Sequence, residues 1–142
     1  MGTGRAGCDD RFVSSPHSVL VVDDQAPFRA AAKAVLRRLD CFDLAGEAAS
    51  GPEAIAMVDA MHPELVLMDI NMPQMSGITA TREIVTAHPE TVVILCSTYD
   101  ASDLPADAAA SGARAYLNKE RFSADALRRL WDERDSGDFA SF

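Results

Sequence analysis

Between residues 18 and 134 the chain alternates short apolar runs with longer stretches in which apolar positions recur every three or four residues. The runs are Ser18–Val22 (SVLVV), Phe42–Ala48, Leu65–Met68 (LVLM), Thr91–Cys96 (TVVILC) and Ala113–Leu117. Each is too short for a helix, and several are rich in the β-branched residues that suit a buried strand. Between them, Phe28, Ala32, Val35, Leu36 and Leu39 fall on one helical face, in a segment that Pro27 can open. Ala54, Ile55, Val58 and Met61 predict a second helix capped by Ser50 or Gly51. Ile78, Thr81, Ile84 and Val85 predict a third, which His88-Pro89 stops. An alanine-rich helix is expected over Ser102–Ser111, where Pro105 is tolerable because it lies in the first turn. Gly112 closes that helix, and Ser123 caps a last one running through Arg134.

Five strands alternating with five helices imply parallel crossovers and a doubly wound, three-layer α/β sandwich around a five-stranded parallel sheet. Strands that are apolar throughout fit a sheet covered on both faces. The expected organisation is a flexible tail over residues 1–17, one domain over 18–134, and a C-terminal tail over 135–142. In such sheets ligands sit beyond the carboxyl ends of the strands, near a reversal in strand order.

The residues at those ends are the unusual ones. Strand one ends in Asp23-Asp24, strand three in Asp69, strand four in Ser97-Thr98, and Lys119 follows strand five. Three carboxylates brought together repel one another and call for protonation or a cation. A hard divalent ion such as Mg²⁺ suits an all-oxygen site and keeps several waters. Taken singly, each residue has an ordinary explanation: an Asp that caps the next helix, a surface lysine, a strand-end serine bonded to backbone. Their convergence at one sheet edge argues against that explanation. Asn71 can be a turn residue, but its backbone carbonyl, two positions after Asp69, is also placed to meet a metal.

Composition narrows the partners. Thirteen basic residues against 22 acidic ones give a net charge of −9, which repels a phosphate backbone, so no direct nucleic-acid partner is expected. No apolar run approaches the ~18 residues of a membrane span, and the start has no apolar signal region, so a cytoplasmic protein without a membrane partner is expected. Cys8, Cys41 and Cys96 share no metal-ligand spacing and are expected to be reduced thiols. His17, His62 and His88 all stand away from the strand-end cluster, so a histidine-based mechanism finds no support there.

The segments LVVDDQAPFR, LVLMDINMPQMSG, VVILCSTYD and GARAYLNKE together resemble the receiver domain of bacterial two-component response regulators, across roughly residues 18–134. The spacings agree as well: 45 residues from Asp24 to Asp69, 28 from Asp69 to Ser97 and 50 from Asp69 to Lys119. The resemblance implies a flavodoxin-like, receiver-type fold and a Mg²⁺ cofactor. It also implies that Asp69 is the phosphoacceptor, loaded by a sensor histidine kinase or phosphotransfer protein. Asp24, Asp69 and the Asn71 backbone carbonyl would hold Mg²⁺, with Asp23 helping through water. Ser97 and Lys119 would contact the phosphoryl oxygens, and Tyr116 looks like the aromatic that turns inward on switching. Such a domain is no enzyme beyond promoting its own phosphorylation and dephosphorylation. Its output would be a downstream protein or a second copy, docked through residues 100–134.

Two departures stand out. Glu120 follows the lysine where many family members have proline, which puts a cis peptide there in doubt. The lysine-acid pair and STYD look most like the NarL/LuxR-type subfamily, whose members usually continue into a DNA-binding domain, whereas this chain stops at Phe142 and is expected to stand alone. One alternative is therefore the receiver fragment of a DNA-binding transcription factor. Another is a small phosphatase with an aspartyl nucleophile, although such enzymes usually carry a second acid where Asn71 stands. A flavin carrier of similar architecture would need a Ser/Thr/Gly-rich loop after strand one, and DDQAPF is acidic instead.

Overall fold

The structure is a computed structural model that describes residues 16–134 and 139–141. Its strands are β1 (His17–Val22), β2 (Phe42–Ala48), β3 (Leu65–Asp69), β4 (Val92–Ser97), β5 (Ala115–Asn118) and β6 (Ala140–Ser141). Its helices are α1 (Ala26–Leu36), α2 (Gly51–Met61), α3 (Gly77–Ala87), α4 (Asp107–Ala110) and α5 (Ala124–Asp132). The strands pair in parallel in the order β2-β1-β3-β4-β5-β6. The expected five-stranded doubly wound sandwich is present, and β6 extends it beyond β5.

Period-2 alternation along the strands sorts the core into two layers. Val19, Val21, Leu65, Leu67, Ile94, Cys96 and Leu117 face α1 and α5, where Ala32, Leu36, Leu127, Leu130 and Trp131 complete one cluster. Leu20, Val22, Val66, Met68, Val93, Leu95 and Tyr116 face the other way, against Ala54, Val58, Ile78, Ile84 and Ala108. Both faces are therefore covered, which explains why β3 and β4 are buried at every position.

Local signals set the helix starts. Pro27 lies in the first turn of α1. The Ser50 hydroxyl accepts from Glu53 N–H at 3.2 Å, while the Glu53 carboxylate accepts from Ala49 N–H at 2.7 Å, a near relative of the capping box. Ser76 and Ser123 cap α3 and α5 in the same manner, accepting from Ile78 and Ala126 N–H.

Four features differ from, or fall outside, the sequence expectations. The helix expected over Ser102–Ser111 is broken into a 3-10 turn, Ala101–Asp103, and the single turn of α4. Pro105 is the cause: it offers no N–H and drives the preceding Leu104 out of helical geometry. Of the stretch 135–142, Ala140–Ser141 pairs with Ala115 and Tyr116, and Phe139 packs against the second core cluster. The tail expected over residues 1–17 lies, up to residue 15, outside the described residues, and His17 already belongs to β1. Cys41 is disulfide-bonded, so the expectation of reduced thiols fails there; Cys96 is free and buried.

Thr81 on α3 is fully buried, and its hydroxyl has no hydrogen-bond partner. A buried donor left unpaired costs stability that a methyl group would not. Thr81→Val should therefore stabilise the fold by ~1 kcal/mol in urea denaturation. An unchanged or lower midpoint would show that the hydroxyl is satisfied after all.

Candidate functional site: an acidic pocket at the carboxyl edge of the sheet

The strand order reverses between β1 and β3, since β1 leads outward to β2 while β3 leads the other way to β4. Crossover helices leave in opposite directions at such a point and open a crevice between them. Asp23-Asp24 follow β1 and Asp69 ends β3, so all three carboxylates reach this crevice, with oxygens within 4.8 Å of one another. Asp23 is fully buried and Asp69 is 4% exposed, whereas Asp24 is half-buried.

Lys119, at the start of a 3-10 turn after β5, completes the pocket. Its Nζ lies 2.6 Å from Asp23 Oδ2 and 3.2 Å from Asp69 Oδ1, and 4.7 Å from the centre of the Phe28 ring. Burial alone would pull the ammonium down, but the Asp23 and Asp69 carboxylates outweigh it and hold Lys119 above its ordinary value. Burial, and then the neighbouring Asp23 charge, pushes the Asp69 carboxyl up to about 6 against the pull of Lys119. Asp69 is therefore mostly ionised at neutral pH, in a site with more negative than positive charge.

The backbone at Asp23 is held by residues that the sequence did not single out. Gln25 N–H donates to Asp23 Oδ1 at 2.7 Å, an Asx turn that fixes the carboxylate over the start of α1. The Arg29 guanidinium donates to the Asp23 carbonyl at 2.6 Å and to Glu47 at 3.0 Å. An Asp just past a strand end carries the first of these signals, since any non-proline residue two positions on supplies the N–H. The stacking of Phe28 beneath Lys119 depends on a contact 91 residues apart in sequence, for which no local signal exists.

Asp23 Oδ2 is the informative atom. It is buried, and its close partner is the Lys119 ammonium at 2.6 Å. One ammonium against three carboxylates whose oxygens lie within 4.8 Å of one another leaves an all-oxygen, net-negative donor set, which fits a hard divalent cation such as Mg²⁺.

Other predicted site residues lie around the same edge. Ser97 ends β4 and is 2% exposed, one position beyond the Asp69–Cys96 pairing of β3 and β4. Asn71 is exposed and its side chain accepts from the Tyr99 hydroxyl at 3.2 Å. Tyr116 is fully buried, with its hydroxyl 2.6 Å from the Tyr99 carbonyl and 3.0 Å from the Ser97 carbonyl. A phenol has one proton, so the shorter contact to Tyr99 is the donated bond and Ser97 is the alternative acceptor. Asn118 also donates to the Tyr99 carbonyl, at 2.9 Å. Tyr116 is thus inward in this structure and ties β5 to the β4 loop. Among the described residues no peptide bond is cis, in keeping with Glu120 after Lys119.

Residues 19–131 match the family model described as the response regulator receiver domain. The transcriptional regulatory protein DegU of Brevibacillus brevis is 33% identical over 109 residues, covering 77% of this chain and 46% of that protein. The chain thus spans about half the length of the transcriptional regulators it matches. Among solved structures, the receiver domain of the putative response regulator NarL from Mycobacterium tuberculosis superposes with a TM-score of 0.76 at 26% identity, covering 87% of this chain and 99% of that one. A CheX-CheY-BeF₃-Mg²⁺ complex from Borrelia burgdorferi gives a TM-score of 0.74 at 28% identity, covering 82% and 88%.

Proposed function

The chain belongs to the response regulator receiver family, and on that premise we propose that Asp69 is the carboxylate through which it accepts a phosphoryl group. Receiver domains are the phosphoryl-accepting switches of two-component signalling, and they meet histidine kinases or phosphotransfer proteins. The observation that carries the residue assignment is the pocket itself, where one buried, ionised carboxylate is flanked by two others and by one lysine.

The chemistry follows from these groups. An Asp69 oxygen attacks the phosphorus of the donor; the new O–P bond forms as the bond to the donor's leaving group breaks, and that group departs with the electron pair. Lys119 stands 3.2 Å from Asp69 Oδ1, where its ammonium can neutralise the added phosphoryl oxygens. The Ser97 hydroxyl can donate to another of those oxygens. Asp24, Asp69 and the Asn71 carbonyl would hold Mg²⁺, with Asp23 helping through water. Bound there, the ion supplies the positive charge that lets an anionic donor enter an anionic pocket. Receiver domains of this kind are not enzymes in the usual sense. The reactions assigned to this chain are gain and hydrolysis of its own phosphoryl group.

The output follows from the weak element beside the site. Only Ala108 of α4 is buried, so this single turn resists displacement poorly. Turning the ionised Asp69 carboxylate into an acyl phosphate adds about one further negative charge and new acceptor oxygens, which draw Ser97 toward them. Because Tyr116 is bonded at the Ser97–Tyr99 carbonyls, that movement reaches β5 and the surface of residues 100–134. This surface would then take up a downstream protein or a second copy. A receiver fragment of a DNA-binding regulator remains a second reading, favoured by the partial coverage of DegU.

The metal assignment has a direct test. Calorimetry should show Mg²⁺ binding weakened by about tenfold or more in Asp24→Ala. Equal affinity in the two proteins would remove Asp24 from the ligand set.

A further inference from the structure

The three histidines do not enter the acidic pocket, yet two of them form a cluster of their own. The tripeptide His-Pro-Glu occurs twice, at residues 62–64 and 88–90, and each copy ends a helix. Proline cannot continue a helix, so both imidazoles stand at the carboxyl-terminal caps of neighbouring helices, His62 on α2 and His88 on α3. The two rings lie 5.2 Å apart at 73°. One ring nitrogen from each, with a carboxylate oxygen of Glu90, falls within 4.8 Å of the others. These helix ends feed the starts of β3 and β4, whereas Asp69 ends β3 and Asp23-Asp24 follow the end of β1. The five residues of β3, on the order of 15 Å, separate the two places.

We propose that His62, His88 and Glu90 form a second metal site, open on one side, for a borderline divalent ion of which Zn²⁺ is representative. His88 Nε2 lies 2.7 Å from Asp59 Oδ1, so Nε2 is the protonated donor, and the lone pair of a neutral ring sits on Nδ1. Nδ1 lies 3.9 Å from Glu90 Oε2, so in the neutral ring its lone pair and the carboxylate form two donors that a cation between them could share. A carboxylate that orients a ligating imidazole from its far nitrogen is a recurring support of metal sites, and Asp59 stands in that position. Two imidazoles and one carboxylate suit Zn²⁺ and like ions better than Mg²⁺, and three protein ligands leave the fourth position for water. Tetrahedral ligands with bonds of ~2.1 Å stand roughly 3.4 Å apart, about 1.4 Å closer than the 4.8 Å within which these atoms now lie. Glu90 is exposed and free to make that adjustment. His62 and His88 cap the carboxyl ends of α2 and α3, whose partial negative charge favours a cation nearby. Loading would clip the ends of these two helices together.

The test is a Zn²⁺ titration of the full chain by calorimetry with Mg²⁺ in excess, followed in parallel by imidazole nitrogen NMR. The expected result is one tight equivalent that shifts the His62 and His88 resonances and raises the melting temperature. His62→Asn, His88→Asn and Asp59→Asn should each weaken binding about tenfold or more. His62 has a φ of 49°, a conformation that asparagine accepts, so His62→Asn keeps the test open should the His88 variant fail to fold. Affinity unchanged in His62→Asn would overturn the site. So would Zn²⁺ that shifts only resonances of the acidic pocket, or an Nδ1 proton on His88 that persists at saturating Zn²⁺.

Discussion

Gly77→Ala is expected to cost ~3–5 kcal/mol or to prevent folding altogether. Gly77 opens α3 where the chain leaves the loop after β3, and its N–H donates to the Ile70 carbonyl at 2.8 Å. A Cβ at this position would overlap the Asp69 carbonyl oxygen and lie 2.8 Å from its carbon. Both are backbone atoms of a central strand, so neither can rotate away as a side chain would. Relief requires moving α3 off the sheet or bending β3 at the residue that carries the candidate nucleophile. The variant should therefore lose stability in urea and, where it folds at all, lose phosphoryl acceptance as well. A Gly77→Ala protein with a wild-type denaturation midpoint would mean that the helix does not approach β3 so closely.

The second large effect runs in the opposite direction. Asp69→Asn should stabilise the metal-free domain at pH 7.5 while removing its proposed nucleophile. Burial and the Asp23 charge raise the Asp69 carboxyl from an ordinary 3.8 to about 6. Between those values the folded state holds more protons than the unfolded chain, so stability falls as pH rises through that window. Above it the full deficit remains, on the order of 2–3 kcal/mol. Asparagine has no charge to desolvate, and Lys119 keeps Asp23 at 2.6 Å as its partner. Thermal melts in a chelator should show the variant more stable at pH 7.5, the gap narrowing toward pH 4. Saturating Mg²⁺ should narrow it too, by stabilising the wild type alone. Curves that coincide at every pH would show that Asp69 pays no desolvation cost.

Strand identity was legible because β1, β3 and β4 are covered on both faces and therefore read as unbroken apolar runs. The acidic cluster was legible for a related reason: charged residues at the tips of such runs have no place in the core and can only project from the sheet edge. What was not legible depended on tertiary contact. Ala140–Ser141 has no strand signal of its own and becomes β6 only beside the open edge of β5. Pro105 was visible, but whether it opened a helix or split one turned on how little of that segment is buried. Tyr116 could have faced either layer of the sandwich until the register of β5 placed it among the α2–α4 contacts. Lys119 was marked by its place just after strand five, while its position between two carboxylates and over Phe28 needed the folded crevice.

The central claim is that Asp69 accepts a phosphoryl group in a Mg²⁺-dependent manner. Its most direct test is intact-protein mass spectrometry after incubation with acetyl phosphate, with and without Mg²⁺, on the wild type and on Asp69→Asn. One phosphoryl adduct on the wild type, present only with Mg²⁺ and absent from Asp69→Asn, is the predicted result. An adduct of equal yield on Asp69→Asn, or none on a folded wild type with Mg²⁺ present, would contradict it.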